Sequence, residues 1–221
     1  MPREVEGIVR SAMGPSGVEV LLYDLGNVIL PFQHYQIAER LAAFSQKSAF
    51  QDPRKIFSRL FDFETGMINR YEEGRVSSLQ FFLSLKESFD LSLSFEDFVP
   101  LWNDIFIENP EVAEMILSQR GRWRLGLLSN TNLLHFHHIL ATFPIVRAFD
   151  RWILSHEVGC KKPAVEIFRR AMAWAGVAPG KILFIDDMEK NVDVALSLGI
   201  QAIHFISATQ LKEELSRALP C

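Results

Sequence analysis

The sequence has few cysteines, no excess of basic residues and no long hydrophobic run. Only two of its 221 residues are cysteine, which argues against a disulfide framework and favours a reducing compartment. Acidic residues outnumber basic ones, 27 against 23, for a net charge of −4. A chain with this charge and without a basic block is not expected to bind nucleic acid.

Features that direct a chain to a membrane are also missing. No stretch reaches the length of a transmembrane helix, and residues 1–17 contain two arginines but no apolar segment typical of a signal peptide. We therefore expect a cytoplasmic protein that does not enter a membrane. Hydrophobic residues make up 48% of the chain, which is enough for a full core. The oligomeric state cannot be read from the sequence.

Apolar runs of strand length alternate with helical patterns along most of the chain. Five strands are predicted, at Val18–Tyr23, Arg124–Leu128, Arg151–Leu154, Ile182–Ile185 and Gln201–Ile206. Strands that alternate with helices indicate an α/β fold with a doubly wound, Rossmann-like parallel sheet, for which we expect the order 3-2-1-4-5.

One long segment, residues 33–106, interrupts this alternation because it contains no convincing strand. Helical spacing of apolar residues predicts helices at Tyr35–Phe44, Pro53–Phe63, Leu79–Phe89 and Phe95–Phe106. Ser94 and Asp97 have the spacing of a capping box. The predicted organisation is a flexible tail (1–17), an α/β core (18–32 and 107–221) and an inserted all-helical unit (33–106).

Chemically active side chains follow the predicted strands. Asp24 follows the first strand, Ser129 and Asn130 the second, Lys161 and Lys162 lie in the loop after the third, and Asp186 and Asp187 follow the fourth. The carboxyl ends of parallel strands meet at one edge of a sheet, and ligands bind there at the switch point of the strand order. We therefore expect these side chains to face one crevice.

The residue types in this crevice favour phosphoryl transfer. Three carboxylates at one site repel one another unless a cation neutralises them, and Mg²⁺ is a cation that carboxylates bind. Lysine, hydroxyl and amide donors suit phosphate oxygens. A carboxylate already held there can attack phosphorus and form an aspartyl-phosphate. Asp24 is therefore the candidate nucleophile.

Four segments together resemble the motifs of the haloacid dehalogenase-like (HAD) hydrolases, over roughly residues 18–207. They are Leu22-Tyr-Asp-Leu-Gly-Asn-Val28, Leu127-Leu-Ser-Asn130, Gly159-Cys-Lys-Lys-Pro163, and Phe184-Ile-Asp-Asp187 with Asn191-Val192 and Leu198-Gly199 after it. The helical insert resembles the C1-type cap of that superfamily. Two stretches, 102–106 and 129–135, resemble the branch of α-D-glucose-1-phosphate phosphatase and of the N-terminal phosphatase domain of epoxide hydrolases.

The resemblance implies a Mg²⁺-dependent phosphatase that acts on a small phosphorylated metabolite, with a sugar phosphate as the expected substrate. The resemblance implies that Asp24 is the nucleophile, that Lys162 neutralises the phosphate and Asp24, and that Ser129 and Asn130 hold the phosphoryl oxygens. It also implies that Asp24, Asp187 and the backbone carbonyl of Gly26 bind Mg²⁺. Asp186 is implied to be either a further metal ligand or a neighbour of the ligands.

Gly26 departs from the family pattern, which has a second aspartate two residues after the nucleophile to protonate the leaving group and activate water. A positioned acid–base group contributes about 10²–10⁴-fold to the rate. Three interpretations follow: the leaving group needs little protonation, as in an anomeric phosphate; His34, His135, Glu64 or a water held by Asn27 supplies the proton; or the protein is a weak or non-catalytic binder of phosphorylated ligands.

A further alternative is 2-haloacid dehalogenation, which uses the same nucleophile without a metal. The pair Asp186-Asp187 argues against it, because a metal-free site has no reason to tolerate that charge. Substrate choice is assigned to the helical insert, which is expected to open and close over the crevice. Possible contacts there are Arg40, Arg59, Arg70, Arg75 and Trp102.

Overall fold

The computed structural model describes residues 17–62 and 64–219. The predicted flexible tail, 1–17, lies outside these residues apart from Gly17. Within the described ranges, no helix has the length and apolar character needed to cross a bilayer.

Five parallel strands form one sheet, which confirms the predicted fold class. The strands are β1 (Val20–Tyr23), β2 (Arg124–Ser129), β3 (Arg151–Leu154), β4 (Ile182–Asp186) and β5 (Gln201–His204), in the order β3-β2-β1-β4-β5. The central strand β1 is fully buried and pairs with β2 on one side and β4 on the other. The order reverses at β1, so the carboxyl ends of β1, β2 and β4 surround the switch point at which ligands bind in such sheets.

Between β1 and β2 the described residues form helices and no strand longer than an isolated bridge. These are α1 (His34–Ala42), α2 (Pro53–Phe61), α3 (Ile68–Glu72), α4 (Ser78–Phe89), α5 (Phe95–Asn103) and α6 (Pro110–Gln119). The helices after β2 are α7 (Leu133–Thr142), α8 (Ser155–Val158), α9 (Val165–Ala175), α10 (Glu189–Ser197) and α11 (Ala208–Ala218). The sequence did not predict α3, because five residues are too few to show a helical period.

Local capping explains where two helices of the insert begin. A complete capping box opens α4, since Ser77 Oγ accepts from Gln80 N and the Gln80 side chain accepts from Ser77 N. The box predicted at Ser94 is only half formed. Ser94 Oγ accepts from Asp97 N at 3.1 Å, but the Asp97 carboxylate accepts from the Ser94 hydroxyl rather than from the Ser94 backbone.

Separate hydrophobic clusters cover the two faces of the sheet and fill the insert. Leu21 and Tyr23 of β1 belong to the cluster on one face, while Val20 and Leu22 belong to the cluster on the other, as expected for side chains that alternate along a strand. The insert has its own apolar cluster, with the fully buried Trp102 among its members. The buried apolar side chains between residues 37 and 105 therefore pack mainly with one another rather than against the sheet.

The chain enters and leaves the insert at two neighbouring points. Phe32 and Phe106 form an isolated antiparallel bridge, and their rings pack edge to face with centroids 5.9 Å apart. Ile107 N donates to Pro31 O at 3.0 Å. Both crossings therefore lie together, close to the loop that follows β1.

Candidate active site

A cavity of about 310 Å³ opens at the carboxyl end of the sheet. Six of the seven predicted site residues line it: Asp24, Gly26, Ser129, Asn130, Lys162 and Asp187. The seventh, Asp186, is fully buried and contacts Lys162. The strand order thus brings together residues that are more than 160 positions apart in the chain.

Asp24 stands at the end of β1 with its carboxylate held in place. Its Oδ1 accepts from Leu25 N at 2.7 Å and lies 2.7 Å from Lys162 Nζ. Burial raises the pKa of Asp24, Lys162 lowers it and Asp186 raises it again, to about 7 overall. Such a shift is typical of functional sites, where charges are kept close together out of water.

Lys162 is the fully buried cation of the site, with a side chain that is 1% exposed. Its Nζ lies 2.7 Å from Asp24 Oδ1 and 2.6 Å from Asp186 Oδ2. Burial lowers the pKa of Lys162, but the charges of Asp186 and Asp24 outweigh burial, so the pKa is raised. The ammonium is therefore charged at neutral pH and bridges the two carboxylates.

Asn130 fixes the backbone of Lys162. Its Oδ1 accepts from Lys162 N at 2.7 Å, and its Nδ2 donates to Lys162 O at 2.9 Å. Because both ends of the amide are engaged, a phosphate contact by this side chain would require one of these bonds to break. Ser129 is differently placed: among the described residues, its buried hydroxyl makes one long contact, of 3.4 Å, to Asn130 O.

The two neighbouring aspartates have different surroundings. Asp186 Oδ1 accepts from Met188 N and Asn191 Nδ2, both at 2.9 Å, and its Oδ2 accepts from Lys162. Asp187 is half-buried, and one side chain in the described part of the chain donates to it, Asn27 through Nδ2 at 3.2 Å. Burial, followed by the charge of Asp186, raises the pKa of Asp187. Asp187 therefore has the more available oxygens of the two.

The donor set fits a divalent cation. Asp24, Asp186 and Asp187 each offer an oxygen, and these oxygens lie within 4.8 Å of one another. Three carboxylates against one ammonium leave two negative charges uncompensated, a deficit that one divalent cation cancels. Asn191 Oδ1, on the cavity wall, is buried and has no donor among the described residues. A set made of oxygens alone suits Mg²⁺.

Mg²⁺ affinity is expected to rise with pH. The raised pKa of Asp24, about 7, means that a proton occupies this carboxyl below neutrality and competes with the cation. Isothermal titration calorimetry in buffers of different ionisation enthalpy should show proton release at about pH 6 and little at about pH 8. An affinity that is the same at both pH values contradicts the placement of Asp24 in the cation site.

Comparison with known proteins identifies the family. A profile of the haloacid dehalogenase-like hydrolases matches residues 18–199, which is most of the chain and includes all the site residues described above. The chain belongs to this family. It is a hydrolase of the HAD fold, and each of the four segments that resemble HAD motifs contributes residues to the cavity.

Among curated proteins, the chain is similar to D-ribitol-5-phosphate phosphatase of Bacteroides thetaiotaomicron, with 28% identity over 160 aligned residues. The alignment covers 69% of this chain and 78% of that protein. A HAD family enzyme from the same organism, solved in complex with magnesium and inorganic phosphate, superimposes with a TM-score of 0.73 at 28% identity, covering 84% of this chain and 93% of the other. A HAD-like hydrolase from Porphyromonas gingivalis gives a TM-score of 0.75 at 25% identity, covering 91% and 99%.

The structure shows where the side chains lie that were considered as proton donors in place of an aspartate at position 26. Glu64 does not line the cavity but borders a neighbouring pocket, which shares Asn69 and Lys161 with it. His135 is buried with both ring nitrogens in contact with polar partners, Asn132 Nδ2 and Trp102 O, each at 3.0 Å. Burial lowers the pKa of His135 to about 3 and that of His34 to about 4. Both rings are therefore uncharged at neutral pH and are poor acids.

The helical insert contributes side chains that sequence reasoning missed. Asn69 and Glu72 of α3 line the cavity opposite the sheet. Lys161 Nζ lies 3.1 Å from Glu72 Oε2 and also contacts Asn69 Oδ1. No sequence signal marked α3 as part of the site, because the helix is short and polar residues on its surface are ordinary.

The possible contacts predicted in the insert do not line the cavity in the described part of the chain. Arg40 donates to Leu101 O and Asp104 O, at 3.1 and 2.8 Å, and so joins α1 to the end of α5. Trp102 is buried and donates to Asn132 Oδ1 at 3.3 Å. Arg70 and Arg75 border the separate pocket that Glu64 also borders. Arg40 thus joins two helices of the insert, Trp102 joins the insert to the start of α7, and Arg70 and Arg75 border a pocket next to the cavity.

Proposed function

We propose that the chain is a Mg²⁺-dependent phosphatase that hydrolyses a small phosphorylated metabolite, with a sugar phosphate as the expected substrate, through an aspartyl-phosphate. One observation carries this proposal: the Asp24 carboxylate lies 2.7 Å from a fully buried lysine and beside two further carboxylates, at the switch point of the sheet. The name of the ribitol-phosphate phosphatase relative supports the same class of substrate.

In the proposed reaction, an Asp24 carboxylate oxygen attacks phosphorus while the bond from phosphorus to the leaving oxygen breaks, and the electron pair stays on that oxygen. Water then attacks the phosphorus of the aspartyl-phosphate, which restores the carboxylate and releases inorganic phosphate. Lys162 stabilises charge on the transferring group. The Ser129 hydroxyl is placed to donate to a phosphoryl oxygen, and Asn130 keeps Lys162 in position through its backbone.

The residues proposed to hold Mg²⁺ are Asp24, Asp187 and the backbone carbonyl of Gly26. Asp186 is proposed to lie next to the ligands without binding the cation itself, because Lys162, Met188 and Asn191 already donate to its oxygens. When bound, the cation would neutralise the charge of the phosphoryl oxygens and of the carboxylates.

We also propose that the helical insert, 33–106, acts as a C1-type cap on the α/β core. Its two neighbouring crossings at Phe32 and Phe106 suit a hinge, and α3 places Asn69 and Glu72 in the cavity wall. The volume of about 310 Å³ lies at the low end for ligand pockets and suits a small metabolite. Membership of the glucose-1-phosphate phosphatase branch, suggested by residues 102–106 and 129–135, is part of the same proposal.

Phosphate release from p-nitrophenyl phosphate and from a panel of sugar and polyol phosphates tests the function. We expect turnover that requires Mg²⁺ and stops with a chelator, because two negative charges are otherwise uncompensated. The same preparations are assayed for halide release from 2-chloropropionate, where none is expected. A folded protein that binds phosphate but hydrolyses no member of the panel supports the alternative of a non-catalytic binder. Halide release without metal supports a dehalogenase.

A further inference from the structure

The space next to Gly26 is already filled. A Cβ atom built on Gly26 would lie 2.5 Å from Cε1 of Phe32 and 3.4 Å from two other atoms of the same ring. Carbon atoms in contact stay about 3.5–4.0 Å apart. Any side chain at position 26 would therefore collide with the Phe32 ring, and the chain has an aromatic wall where the family pattern has an acid–base carboxylate.

Several contacts hold Phe32 in this place. Its ring packs against His34, with centroids 4.4 Å apart, and against Phe106, with centroids 5.9 Å apart. Its backbone bridges to Phe106 at the crossing into the insert. On the far side of His34, the Phe61 ring stacks at 4.3 Å. The ring is thus one member of a packed aromatic row rather than a mobile surface side chain.

The other ionisable groups that line the cavity in the described part of the chain either have a charged or polar partner or are uncharged at neutral pH. The Glu72 carboxylate is 3.1 Å from Lys161 Nζ, and Lys162 bridges Asp24 and Asp186. Asp187 belongs to the proposed cation site and accepts from Asn27. The rings of His34 and His135 are uncharged at neutral pH.

We infer that Phe32 is a specificity-determining residue, because its ring fills the space of a side chain at position 26. It thereby limits the enzyme to phosphate esters whose leaving oxygen departs without a proton from the protein. This inference rests on the proposed function. As the bond between phosphorus and the leaving oxygen breaks, that oxygen keeps the electron pair and takes its proton from water afterwards. Substrates of this kind carry phosphate on an anomeric, acyl or aryl oxygen, which are more acidic leaving groups than a primary alcohol.

A series of substituted phenyl phosphates, extended by benzyl phosphate, tests the inference on the wild-type enzyme with Mg²⁺. The members have similar shapes, and the leaving oxygen becomes less acidic from p-nitrophenyl to phenyl to benzyl. The measured quantity is kcat/KM, which reports the steps up to the loss of the leaving group. We expect kcat/KM to fall steeply along the series, by about 10²–10⁴-fold in total, the contribution of an absent general acid.

Two double variants provide a matched comparison. Phe32→Ala with Gly26→Asp opens the space and supplies a carboxyl, whereas Phe32→Ala with Gly26→Asn opens the space and supplies an amide of the same size. We expect the Asp variant to hydrolyse benzyl phosphate at least ~10-fold faster than the Asn variant, with little difference on p-nitrophenyl phosphate. Gly26→Asp alone is expected to lose activity on every ester because its side chain meets the Phe32 ring.

The wild-type series decides the outcome even if a variant fails to fold. If kcat/KM is the same for all esters of the series, the inference is overturned but the proposed phosphatase function stands. If kcat/KM is constant along the series in the wild type but falls steeply in His34→Gln, then His34 is the proton donor and the role given to Phe32 is wrong. A wild-type protein that hydrolyses no ester of the series overturns the proposed function, and this inference with it.

Discussion

Replacing Asp24 with asparagine is expected to abolish phosphate release and to stabilise the metal-free protein. Asparagine has the size of aspartate but cannot form the aspartyl-phosphate, so the loss should be on the order of 10⁴–10⁶-fold, as for other nucleophile removals. A change that reduces activity through misfolding would lower stability. A gain in stability together with a loss of activity is therefore specific to a charged catalytic group.

The stability gain follows from the pKa of Asp24, which burial raises from 3.8 to about 7. Between these values the folded state holds a proton that the unfolded state has released, so the free energy of unfolding of the wild type falls as pH rises. The full penalty, up to about 4 kcal/mol, is reached above pH 7. The asparagine of the variant does not titrate, and Lys162 keeps Asp186 as its partner. The gain should therefore be larger at pH 8 than at pH 5.

Thermal unfolding of both proteins at these two pH values, with and without Mg²⁺, is the measurement. Mg²⁺ should raise the Tm of the wild type much more than that of Asp24→Asn, because the variant has one carboxylate fewer for the cation. Glu114→Gln, an acid-to-amide change on the exposed side of α6, is the control and should alter neither property. Activity of Asp24→Asn within tenfold of the wild type would show that another group is the nucleophile.

Lys162→Met is expected to have the largest effect on stability. Methionine keeps the unbranched chain but leaves Asp24 and Asp186 buried without their cation. Breaking a buried charge pair by removing one partner costs about 3–5 kcal/mol, which for a chain of this size lowers Tm by roughly 6–20 °C. Activity should fall by about 10²–10³-fold or more, because the charge on the transferring phosphoryl group loses its fixed cation.

The sign of the pH effect separates this explanation from simple loss of packing. The loss of stability in Lys162→Met should be smaller at pH 5 than at pH 8. Lys162 lowers the pKa of Asp24, so without it that carboxyl stays protonated to higher pH, and a protonated carboxyl needs no cation. Mg²⁺ should also restore part of the Tm. Lys212→Met, on the exposed face of α11, is the matched control and should leave Tm unchanged. If the decrease in Tm of Lys162→Met is the same at pH 5 and pH 8, then Lys162 contributes to stability through packing and not through its charge.

The sequence allowed the architecture to be predicted because its signals are local. Apolar runs such as the one that became β1 read directly as buried strands, and parallel α/β sheets offer few possible strand orders. Errors occurred where the local signal was weak. The helix α3 was missed because it is five residues long, and the capping box was placed at Ser94 when the complete one lies at Ser77.

Candidate site residues could be named from the sequence, and six of the seven line one cavity, but their contacts could not be predicted. Asn130 was expected to hold phosphoryl oxygens, whereas its side chain is bound to the backbone of Lys162. His135 was a candidate acid, but its ring nitrogens lie against Asn132 and Trp102. Apart from the one between Asn132 and His135, these contacts join residues more than 30 positions apart in the chain, and no spacing rule in a single sequence specifies them.

By itself, the sequence determined the fold class, the family resemblance and the proposed nucleophile, because strand periodicity and motif spacing are properties of neighbouring residues. It also showed that position 26 is glycine. Only the tertiary structure decided what that glycine means. Phe32 lies further along the same loop, before α1 begins, and its ring occupies the volume that a side chain at position 26 would need. Close packing is a property of residues brought together in space, and two side chains cannot share one volume.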